Sequence, residues 1–532
     1  MKRVYEIIPG FLCWVTLLTP FYLAIFLPHH LAIFVIVFDL YWLYKAFLMG
    51  GHLLLGFIYY KRDLEIDWFK RLLDLENLDN FMGKLEKNIA KAKNVCKHKF
   101  QEELAEIVLL KQNSSLLKDW RTLYQVVILP TYKEELETLQ QSILACQKAA
   151  WPKEKMIVVL AIEEREGEPA QEKAAILEKQ FKNTFFQFLI TKHPKDLQGE
   201  MKAKGANVTF AAQKLQKFLD KNKINYEDVI VSTFDADTRA HKQYFACLAY
   251  KYVINPDRLH RSFQPIPLYS NNIWHVPALT RIVAFSASFW QIIEATRPYR
   301  MINFSSQAMS MQTLIDIHFW DRTIVSEDSR QFFRAYFKYH GDHQVIPIFT
   351  PVYMDAVLGR NLWQTLKEQY LQKRRWAWGV EHFPYLCIHL PKHKEIPALS
   401  RFLVFWRQFE GHYSWATASL LLAFIGWLPF ALNPFFGGTI MAYNLAYLAR
   451  FIMALTWIGL FISTYVSIGL LPKKPKQFGR FKTAEMYLQW LLVPVTAIFF
   501  GSIPAVDAET RMMLGRYLGF WVTSKAYVKQ NA

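Results

Sequence analysis

Long apolar segments near both ends of the chain enclose a charged and polar middle region. Residues 11–27 and 31–60 form two apolar blocks separated by a Pro-His-His sequence, and the second block exceeds the roughly 20 residues that a membrane-spanning helix needs. Residues 414–432, 451–471 and 486–503 are three further candidate spans. Because such segments need an apolar environment, we predict a multi-pass membrane protein with an aqueous domain between its spans.

The composition supports this division and argues against a nucleic-acid-binding protein. Hydrophobic residues make up 52% of the 532 residues and charged residues 20%, with a mean hydropathy of only +0.05. The net charge of +18 is carried partly by basic pairs beside apolar segments, such as Lys2-Arg3 and Lys61-Arg62. Since basic flanks remain on the cytoplasmic side, we expect a location in the cytoplasmic (inner) cell membrane, with a cytosolic middle region. We expect the basic pairs to contact membrane lipids, and we expect no nucleic-acid partner.

The middle region has the rhythm of an α/β sheet. Buried strands are predicted at residues 125–129, 156–162, 185–190 and 228–234, with helices between them. Strands that alternate with helices form a parallel sheet, and ligands bind at the carboxyl ends of its strands. Thr131 and Tyr132 follow the first of these strands, and Asp235 and Asp237 follow the last. We therefore expect the binding site at this edge of the sheet.

The Asp235-Ala236-Asp237 sequence suits a divalent cation. Mg²⁺ prefers oxygen ligands and is commonly held by one or two carboxylates together with substrate phosphates. Taken alone, the triplet would equally fit an ordinary Asp-rich turn. Its position after a buried strand favours a site for Mg²⁺ or Mn²⁺ with Asp235 and Asp237 as ligands.

Glu327 and Asp328 begin a predicted helix, with Ser326 as its N-cap. Capping and pairing with the helix dipole would explain two acids at this position. They also provide a carboxylate in a fixed place, as a general base requires. We predict that the pair is catalytic, with Asp328 as the base that deprotonates an acceptor hydroxyl.

Gln372, Arg375 and Trp376 have the spacing that places them on one face of a helix. An amide, a guanidinium and an indole suit the recognition of a diphosphate and a sugar. The alternative is a basic sequence at the membrane surface. The neighbouring Lys373 and Arg374 point elsewhere on the helix and are expected to be the membrane anchors.

Lys204 begins a further predicted helix and is followed by Gly205, Ala206 and Asn207. A lysine at a helix N-terminus could contact a phosphate or a nucleobase. A solvated basic loop is the alternative, because other lysines lie nearby in the sequence.

Residues about 124–380 resemble the GT-A catalytic domain of family 2 glycosyltransferases, and the flanking apolar segments make the chain similar to the membrane-bound bacterial cellulose and hyaluronan synthases. Five stretches in a fixed order carry the resemblance. They are Val127-Ile128-Leu129-Pro130-Thr131-Tyr132-Lys133-Glu134, Lys204-Gly205-Ala206-Asn207, Asp235-Ala236-Asp237, Ser326-Glu327-Asp328 and Gln372-Lys373-Arg374-Arg375-Trp376.

The resemblance implies an inverting transfer of a sugar from a nucleotide sugar, such as a UDP-sugar, to a glycan or lipid-linked acceptor. In such an enzyme Thr131, Tyr132 and Glu134 would contact the nucleoside, and Asp237 with the metal would hold the diphosphate. Glu163 stands where the family usually has an aspartate-rich motif and is expected to bind substrate. The remaining substrate-binding residues implied are Lys204, Asp235, Gln372, Arg375 and Trp376.

Two other functions remain open from the sequence. A same-class alternative adds a single sugar to a polyprenyl phosphate or another lipid. A catalytically silent subunit for glycan export or scaffolding is the alternative from another class, and the presence of Asp235, Asp237 and Asp328 argues against it.

The predicted organisation has five parts. They are a transmembrane hairpin at 1–60, an amphipathic helical linker at 61–123, the GT-A domain at 124–400, interfacial and transmembrane helices at 401–505, and an amphipathic tail at 506–532.

Overall fold

The computed structural model describes residues 1–113 and 116–519. The described chain divides into two compact units. The first unit contains Met1–Leu54, Asn272–Phe289 and the chain from Ala356 onwards, and the second contains Leu55–Asn271 and Trp290–Asp355. The last part of the predicted amphipathic tail, residues 520–532, lies outside the described residues.

The second unit is built on a mixed sheet of eight strands. The strands are β1 (Tyr124–Pro130), β2 (Met156–Glu163), β3 (Gln187–His193), β4 (Val229–Thr233), β5 (Arg239–Ala240), β6 (Arg261–Leu268), β7 (Ala308–Ser310) and β8 (Gln344–Tyr353). Their order across the sheet is β3-β2-β1-β4-β7-β6-β8-β5. The first four strands in this order are mutually parallel, β6 and β8 are parallel, and β7 and β5 pair antiparallel with their neighbours.

Helices connect most of these strands and form much of the remaining described chain. The first helix is α1 (Lys2–Phe26). The helices that lie in the second unit, wholly or in part, are α2 (Pro28–Glu65), α3 (Trp68–Asp74), α4 (Leu78–Lys91), α5 (Asn94–Gln112), α6 (Leu136–Lys148), α7 (Glu168–Phe181), α8 (Lys204–Lys221), α9 (Tyr244–Ile254), α10 (Ala278–Ala295), α11 (Met311–Asp316) and α12 (Glu327–Lys338). The later helices are α13 (Leu362–Ala377), α14 (His382–His389), α15 (Ala398–Phe424), α16 (Leu428–Leu432), α17 (Ile440–Leu470), α18 (Arg480–Leu488), α19 (Val493–Ala497) and α20 (Ile503–Met513).

The parallel strands are apolar on both faces because helices cover both sides of the sheet. Along β1, Val127 and Leu129 belong to one core cluster, whereas Val126 and Ile128 belong to another. All eight residues of β2 are buried. The strand order and the parallel ladders confirm the predicted α/β class, a GT-A-like domain in a chain that has apolar helices before and after it.

Two long strands, β6 and β8, lie outside the four strands that the sequence predicted. β6 is fully buried although it contains Pro265 and Pro267, which cannot donate to a sheet ladder. The structure accommodates them with a register shift between these two residues in the pairing with β8. The sheet therefore extends well beyond the four predicted strands.

The predicted helical linker consists of α3, α4 and α5. A buried ion pair between Arg71 and Glu103 joins α3 to α5, and the Tyr250 hydroxyl of α9 donates a 2.5 Å hydrogen bond to the same carboxylate. These helices pack on the sheet-covering helix α9 through the aromatic pair Trp68–Tyr250. The linker is thus part of the second unit's core.

The apolar helices belong to the first unit, except for the end of α2, which belongs to the second. Over the described residues, four helical segments are long and apolar enough to cross a membrane: Lys2–Phe26, Pro28–Glu65, Ile440–Leu470 and Arg480–Met513. The predicted span at 414–432 is divided between the end of α15 and the short α16, where Pro429 starts a new turn.

The last apolar segment is a helix with local irregularities. From α18 the chain continues through Pro494 at the start of α19, a π-helical stretch at Ile498–Ser502, and Pro504 at the start of α20. Proline removes a backbone donor and π-turns insert a residue, so both interrupt the regular helix. The predicted span at 486–503 is therefore an interrupted helix.

Candidate active site

Acidic side chains follow β4 at the carboxyl edge of the sheet, as the sequence predicted. β4 ends at Thr233, and the Phe234 amide donates a 3.0 Å hydrogen bond to the Ile128 carbonyl of β1. Asp235 is therefore held at the point where β1 and β4 end side by side. Its side chain is 34% exposed.

Lys204 joins two of the predicted site acids. Its Nζ donates to Asp235 Oδ1 at 2.8 Å and to Asp328 Oδ2 at 3.0 Å, and Glu327 Oε1 lies 4.0 Å away. Burial alone would lower the pKa of the Lys204 ammonium, but the carboxylates of Asp235, Asp328 and Glu327 raise it above its ordinary value. The lysine is therefore a fixed positive charge among three acids.

Gly205 and Asn207 explain why Lys204 reaches these acids. A Cβ on Gly205 would lie 2.5 Å from the Asp321 carbonyl oxygen and 3.1 Å from Glu327 Cβ, so only glycine allows the starts of α8 and α12 to approach this closely. The Asn207 side chain donates a 2.8 Å hydrogen bond to the Ala161 carbonyl in β2. These contacts fix Lys204 relative to both the sheet and α12.

The two acids at the start of α12 differ in accessibility. The Glu327 side chain is only 4% exposed, whereas that of Asp328 is 20% exposed. Gln307 Nε2 donates to the Asp328 backbone carbonyl at 3.2 Å and to Oδ1 at 3.3 Å. Of the two predicted catalytic acids, Asp328 is the one that a substrate can contact more easily.

Antiparallel pairing supplies neighbours that the sequence did not reveal. Ser232 pairs with Ala308, so extension of the same register places Asp235 opposite Ser305, whose Oγ donates to Asp235 Oδ2 at 2.7 Å. Arg239 pairs with Tyr353, which likewise brings Asp237 to Asp355, and the Asp355 amide donates to Asp237 Oδ2 at 2.8 Å.

Ser305, Gln307 and Asp355 are therefore site residues that sequence reasoning missed. Ser305 lies 70 positions and Asp355 118 positions from its partner acid, and Gln307 lies 21 positions from Asp328, just before the unpredicted strand β7, so no local pattern marks them. Had β7 and β8 been predicted as strands, their pairing with β4 and β5 would have placed these residues beside the acids.

The Asp237 carboxylate supplies oxygen atoms, the ligand type that Mg²⁺ and Mn²⁺ prefer. Within residues 1–113 and 116–519, no three His, Cys, Asp or Glu side chains are arranged to hold a metal by themselves. Such a cation would depend on oxygens from a bound diphosphate, as Mg²⁺ sites commonly do.

The predicted nucleoside-binding residues form a compact loop after β1. Glu134 Oε2 accepts hydrogen bonds from Thr131 Oγ1 at 2.8 Å and from the Tyr132 amide at 2.5 Å. Burial raises the pKa of the Glu134 carboxyl to about 7, against the lowering effect of these two hydrogen bonds. The backbone at Lys133 has a φ of 71°, a left-handed conformation that this bonding stabilises.

Glu163 ends β2 beside this loop and belongs to an ionic cluster. The Arg165 guanidinium pairs with Glu163 and stacks 4.1 Å above the Tyr132 ring. His193 is the register partner of Glu163 on β3 and lies 3.0 Å from Glu200 through Nε2. Burial alone would lower the pKa of His193, but Glu163 and Glu200 raise it.

The first unit carries the remaining predicted residues, Gln372, Arg375 and Trp376. All three lie on α13, which confirms the predicted helix, and Gln372 is buried with its Oε1 3.2 Å from Gln369 Nε2. Arg375 and Trp376 are partly exposed.

Lys373 and Arg374, the expected membrane anchors, have side-chain partners within the first unit. Lys373 Nζ lies 5.0 Å from the centroid of the Trp376 ring and 4.9 Å from that of Trp415 on α15. Arg374 pairs with Asp507 on α20 at 2.9 Å. Both cations are therefore used inside the first unit, because its helices supply aromatic and acidic partners.

Comparison with known proteins gives similarity to solved structures only. No family model and no curated protein matches the chain. The mannosyltransferase PcManGT from Pyrobaculum calidifontis, in complex with GDP-Man and Mn²⁺, is similar with a TM-score of 0.40 and 14% identity, over 74% of this chain and 98% of that chain. TarS 1–349 from S. aureus, in complex with UDP-GlcNAc, has a TM-score of 0.34 and 11% identity over 74% and 93%. The fold of this chain is thus defined by its own strand order, and its site by its own contacts.

Proposed function

We propose that the protein is a membrane glycosyltransferase that moves a sugar from a nucleotide-sugar donor to a growing glycan. One observation carries the proposal: the Lys204 ammonium joins Asp235 and Asp328 at the carboxyl edge of the parallel sheet. This edge is where ligands bind in open α/β sheets. The sequence resemblance to family 2 glycosyltransferases, in the group of bacterial cellulose and hyaluronan synthases, supports the same reading.

Asp328 is the proposed general base. Its carboxylate accepts the proton of the acceptor hydroxyl while that oxygen forms a bond to the anomeric carbon of the donor. The bond between this carbon and the diphosphate oxygen breaks at the same time, and the nucleoside diphosphate leaves. Attack from the face opposite the leaving group inverts the anomeric centre.

The diphosphate is proposed to lie beside Asp237. A divalent cation, Mg²⁺ or Mn²⁺, would supply positive charge to the departing diphosphate when bound. Asp237, with Asp235 as the sequence suggested, would hold it. The motif on α13 supports a second contribution, in which Gln372 and Arg375 contact the diphosphate and Trp376 contacts the acceptor end.

The nucleoside is proposed to bind the loop of Thr131, Tyr132 and Glu134, with Glu163 nearby. The aromatic face of Tyr132 and the carboxylates offer stacking and hydrogen bonds, which suits a nucleobase and ribose. A UDP-sugar is the donor that the resemblance suggests.

The apolar helices support a multi-pass location in the cytoplasmic membrane. Within residues 1–113 and 116–519, four helices have the length and composition of spans. The basic pairs Lys2-Arg3 and Lys61-Arg62 favour a cytosolic position for both ends of the N-terminal hairpin. A membrane enzyme of this class would use a polymeric or lipid-linked acceptor, and the Gln372, Arg375 and Trp376 motif favours the polymer.

The test incubates membranes that contain the protein with a panel of labelled nucleotide sugars and measures the size of the products. Membranes with Asp328→Asn at equal protein level are the matched control. We expect one sugar to enter a long product only with the wild type. A product in which a lipid carries a single labelled sugar would favour the single-addition transferase over the polymer-forming one. Equal labelling in both membranes for every donor would contradict the proposed transferase.

A further inference from the structure

Two neighbouring cations on α13 have different surroundings. Arg374 donates to Asp507 Oδ2 on α20 at 2.9 Å. The same carboxylate also accepts hydrogen bonds from Arg511 at 2.6 Å and from the Tyr370 hydroxyl at 3.0 Å. Asp507 is therefore fully used as the counter-charge of the two arginines. Lys373, the residue before Arg374, has no acid of this kind beside it.

The Lys373 ammonium lies between two indole rings. Its Nζ is 5.0 Å from the centroid of the Trp376 ring, one turn further along α13, and 4.9 Å from that of Trp415 on α15. Within residues 1–113 and 116–519, Lys373 forms no hydrogen bond and no ion pair. The remaining residues, 114–115 and 520–532, contain no Asp or Glu that could pair with it. The lysine and both tryptophans are partly exposed, so all three can contact a solute.

Contacts between α15 and the end of α13 place the second indole. Gln408 Nε2 on α15 donates a 3.0 Å hydrogen bond to the Gly379 carbonyl, just after α13. A Cβ on Gly379 would lie 3.3 Å from His412 Cε1, so α15 approaches the chain closely at this point. Trp415 lies one turn after His412 and its ring stacks on the imidazole. These contacts hold Trp415 against Lys373.

The charge of Lys373 is only partly compensated in this place. Indole faces attract an ammonium group, but they carry no net charge. Burial without a nearby acid lowers the pKa of Lys373 to about 8. Burial also lowers the pKa of His412 to about 4, so the neighbouring imidazole is neutral near pH 7. An anionic ligand would therefore supply the counter-charge that the fold does not.

We infer that Lys373, Trp376 and Trp415 form a subsite for a carboxylate on the acceptor glycan, and that this glycan is therefore acidic. The ammonium donates to the carboxylate in a charge-assisted hydrogen bond, and the indoles contact the sugar rings on either side. Two aromatic faces beside one cation suit a charged sugar better than a bare phosphate. The inference rests on the proposed function, in which Trp376 contacts the acceptor end, and names the substrate class.

The first test is the charge of the product. Labelled product from the panel assay is passed over an anion-exchange column before and after its carboxyl groups are reduced with carbodiimide and borohydride. We expect retention at neutral pH that the reduction abolishes. A neutral product would overturn the inference and leave the transferase standing. Retention that survives the reduction would overturn it too, and its loss on mild acid hydrolysis would assign the charge to a lipid-linked phosphate. Only the absence of labelled product would count against the proposed function itself.

The second test asks whether Lys373 recognises the carboxylate. Labelled fragments of the product, either native or carboxyl-reduced, are equilibrated with the purified full-length protein in the absence of donor. The variants are Lys373→Met, which removes the charge, and Lys373→Arg, which keeps it. Lys367→Met, at an exposed position on the same helix, is the matched control. Unfolding curves are recorded for each variant.

The wild type should bind native fragments about 10–100-fold more tightly than reduced ones, the size of a hydrogen bond to a charged group. Lys373→Met should bind the two kinds of fragment within about threefold of each other, because the two changes remove the same interaction. Lys373→Arg and Lys367→Met should retain the preference. A purely structural role would weaken both fragments equally, and a Lys373→Met protein with the wild-type preference would overturn the inference.

Discussion

His193 lies between the carboxylates of Glu163 and Glu200 at the end of β3. These acids raise the pKa of the imidazole, after the opposing effect of burial, above the ordinary value of 6.5. The folded protein therefore favours the charged form more than the unfolded chain does. The resulting stability is fully present below pH 6.5 and is lost as the pH rises through the raised pKa.

The prediction at this residue concerns pH. His193→Gln should lower the thermal unfolding temperature of the purified protein more at about pH 6 than at about pH 9, because the wild type loses the charged pair at the higher pH. Unfolding followed by intrinsic fluorescence in detergent measures this. A difference that grows as the pH rises would contradict the ionic arrangement.

Residue roles were only partly predictable from the sequence. Asp235, Lys204 and Asp328 were each identified as site residues, and the structure brings all three together. Lys204 was expected to meet a phosphate or nucleobase, but in the structure it contacts acids. The local sequence pattern identifies Lys204 as a site residue. Its contact with Asp328 depends on the close approach of the starts of α8 and α12, which Gly205 allows.

At the scale of elements, the approach of α8 to α12 can be tested through Gly205. Gly205→Ala introduces a Cβ at 2.5 Å from the Asp321 carbonyl oxygen, so the two helix starts must separate. We expect destabilisation by about 1–3 kcal/mol, the usual size for overpacking, together with a loss of transfer activity. Chemical denaturation and the transfer assay measure the two effects.

Gly83→Ala is the matched control for this change. Gly83 lies within α4, and a Cβ there would meet nothing within 4 Å. Alanine is the better helix former, so this variant should be as stable as the wild type or more stable. If both alanine variants behaved alike, the close approach of α8 and α12 would be refuted.

A second element-scale prediction concerns the cation between α13 and α15. Lys373→Met keeps the length of the side chain but removes the charge between the Trp376 and Trp415 rings. We expect a loss of about 0.5–2 kcal/mol in stability, the range for a cation–π contact. Lys367→Met, at an exposed position on the same helix, should have little effect. Equal unfolding curves for the two variants would rule out the contact.

The elements themselves were predictable where hydrophobic pattern and length agree. β1, β2 and β4 match the predicted strands within a few residues because each is an apolar run that ends in polar residues. β6 and β8 were missed because Pro265 and Pro267 in β6, and further prolines in β8, argue against strands in a local reading. Pairing between distant segments overrides that local preference.

At the scale of the whole molecule, the large apolar surface of the helices is the dominant feature. Phe461, Tyr465 and Phe451 on α17 are all more than half exposed. Only 11% of the most apolar segment of this helix is buried inside the protein. Soluble monomers rarely expose such a large apolar surface to water, whereas the hydrocarbon core of a bilayer can cover it.

This surface gives a direct prediction. The protein should remain in the membrane pellet after alkaline carbonate extraction and should be released by detergent, because helices of this length and composition insert into lipid. Extraction followed by immunoblotting measures this. Release by carbonate alone would contradict integration into the membrane.

Asp328 is proposed to remove the proton of the acceptor hydroxyl during sugar transfer. The measurement compares wild type and Asp328→Asn for two quantities in the same preparation, the affinity for the nucleoside diphosphate and the rate of transfer from the labelled donor. Asparagine keeps the shape of the side chain but cannot accept the proton. We expect unchanged nucleotide affinity and a transfer rate lower by about 10²–10⁴-fold. Transfer at the wild-type rate, or loss of nucleotide binding with the loss of transfer, would contradict the role of Asp328 as the base.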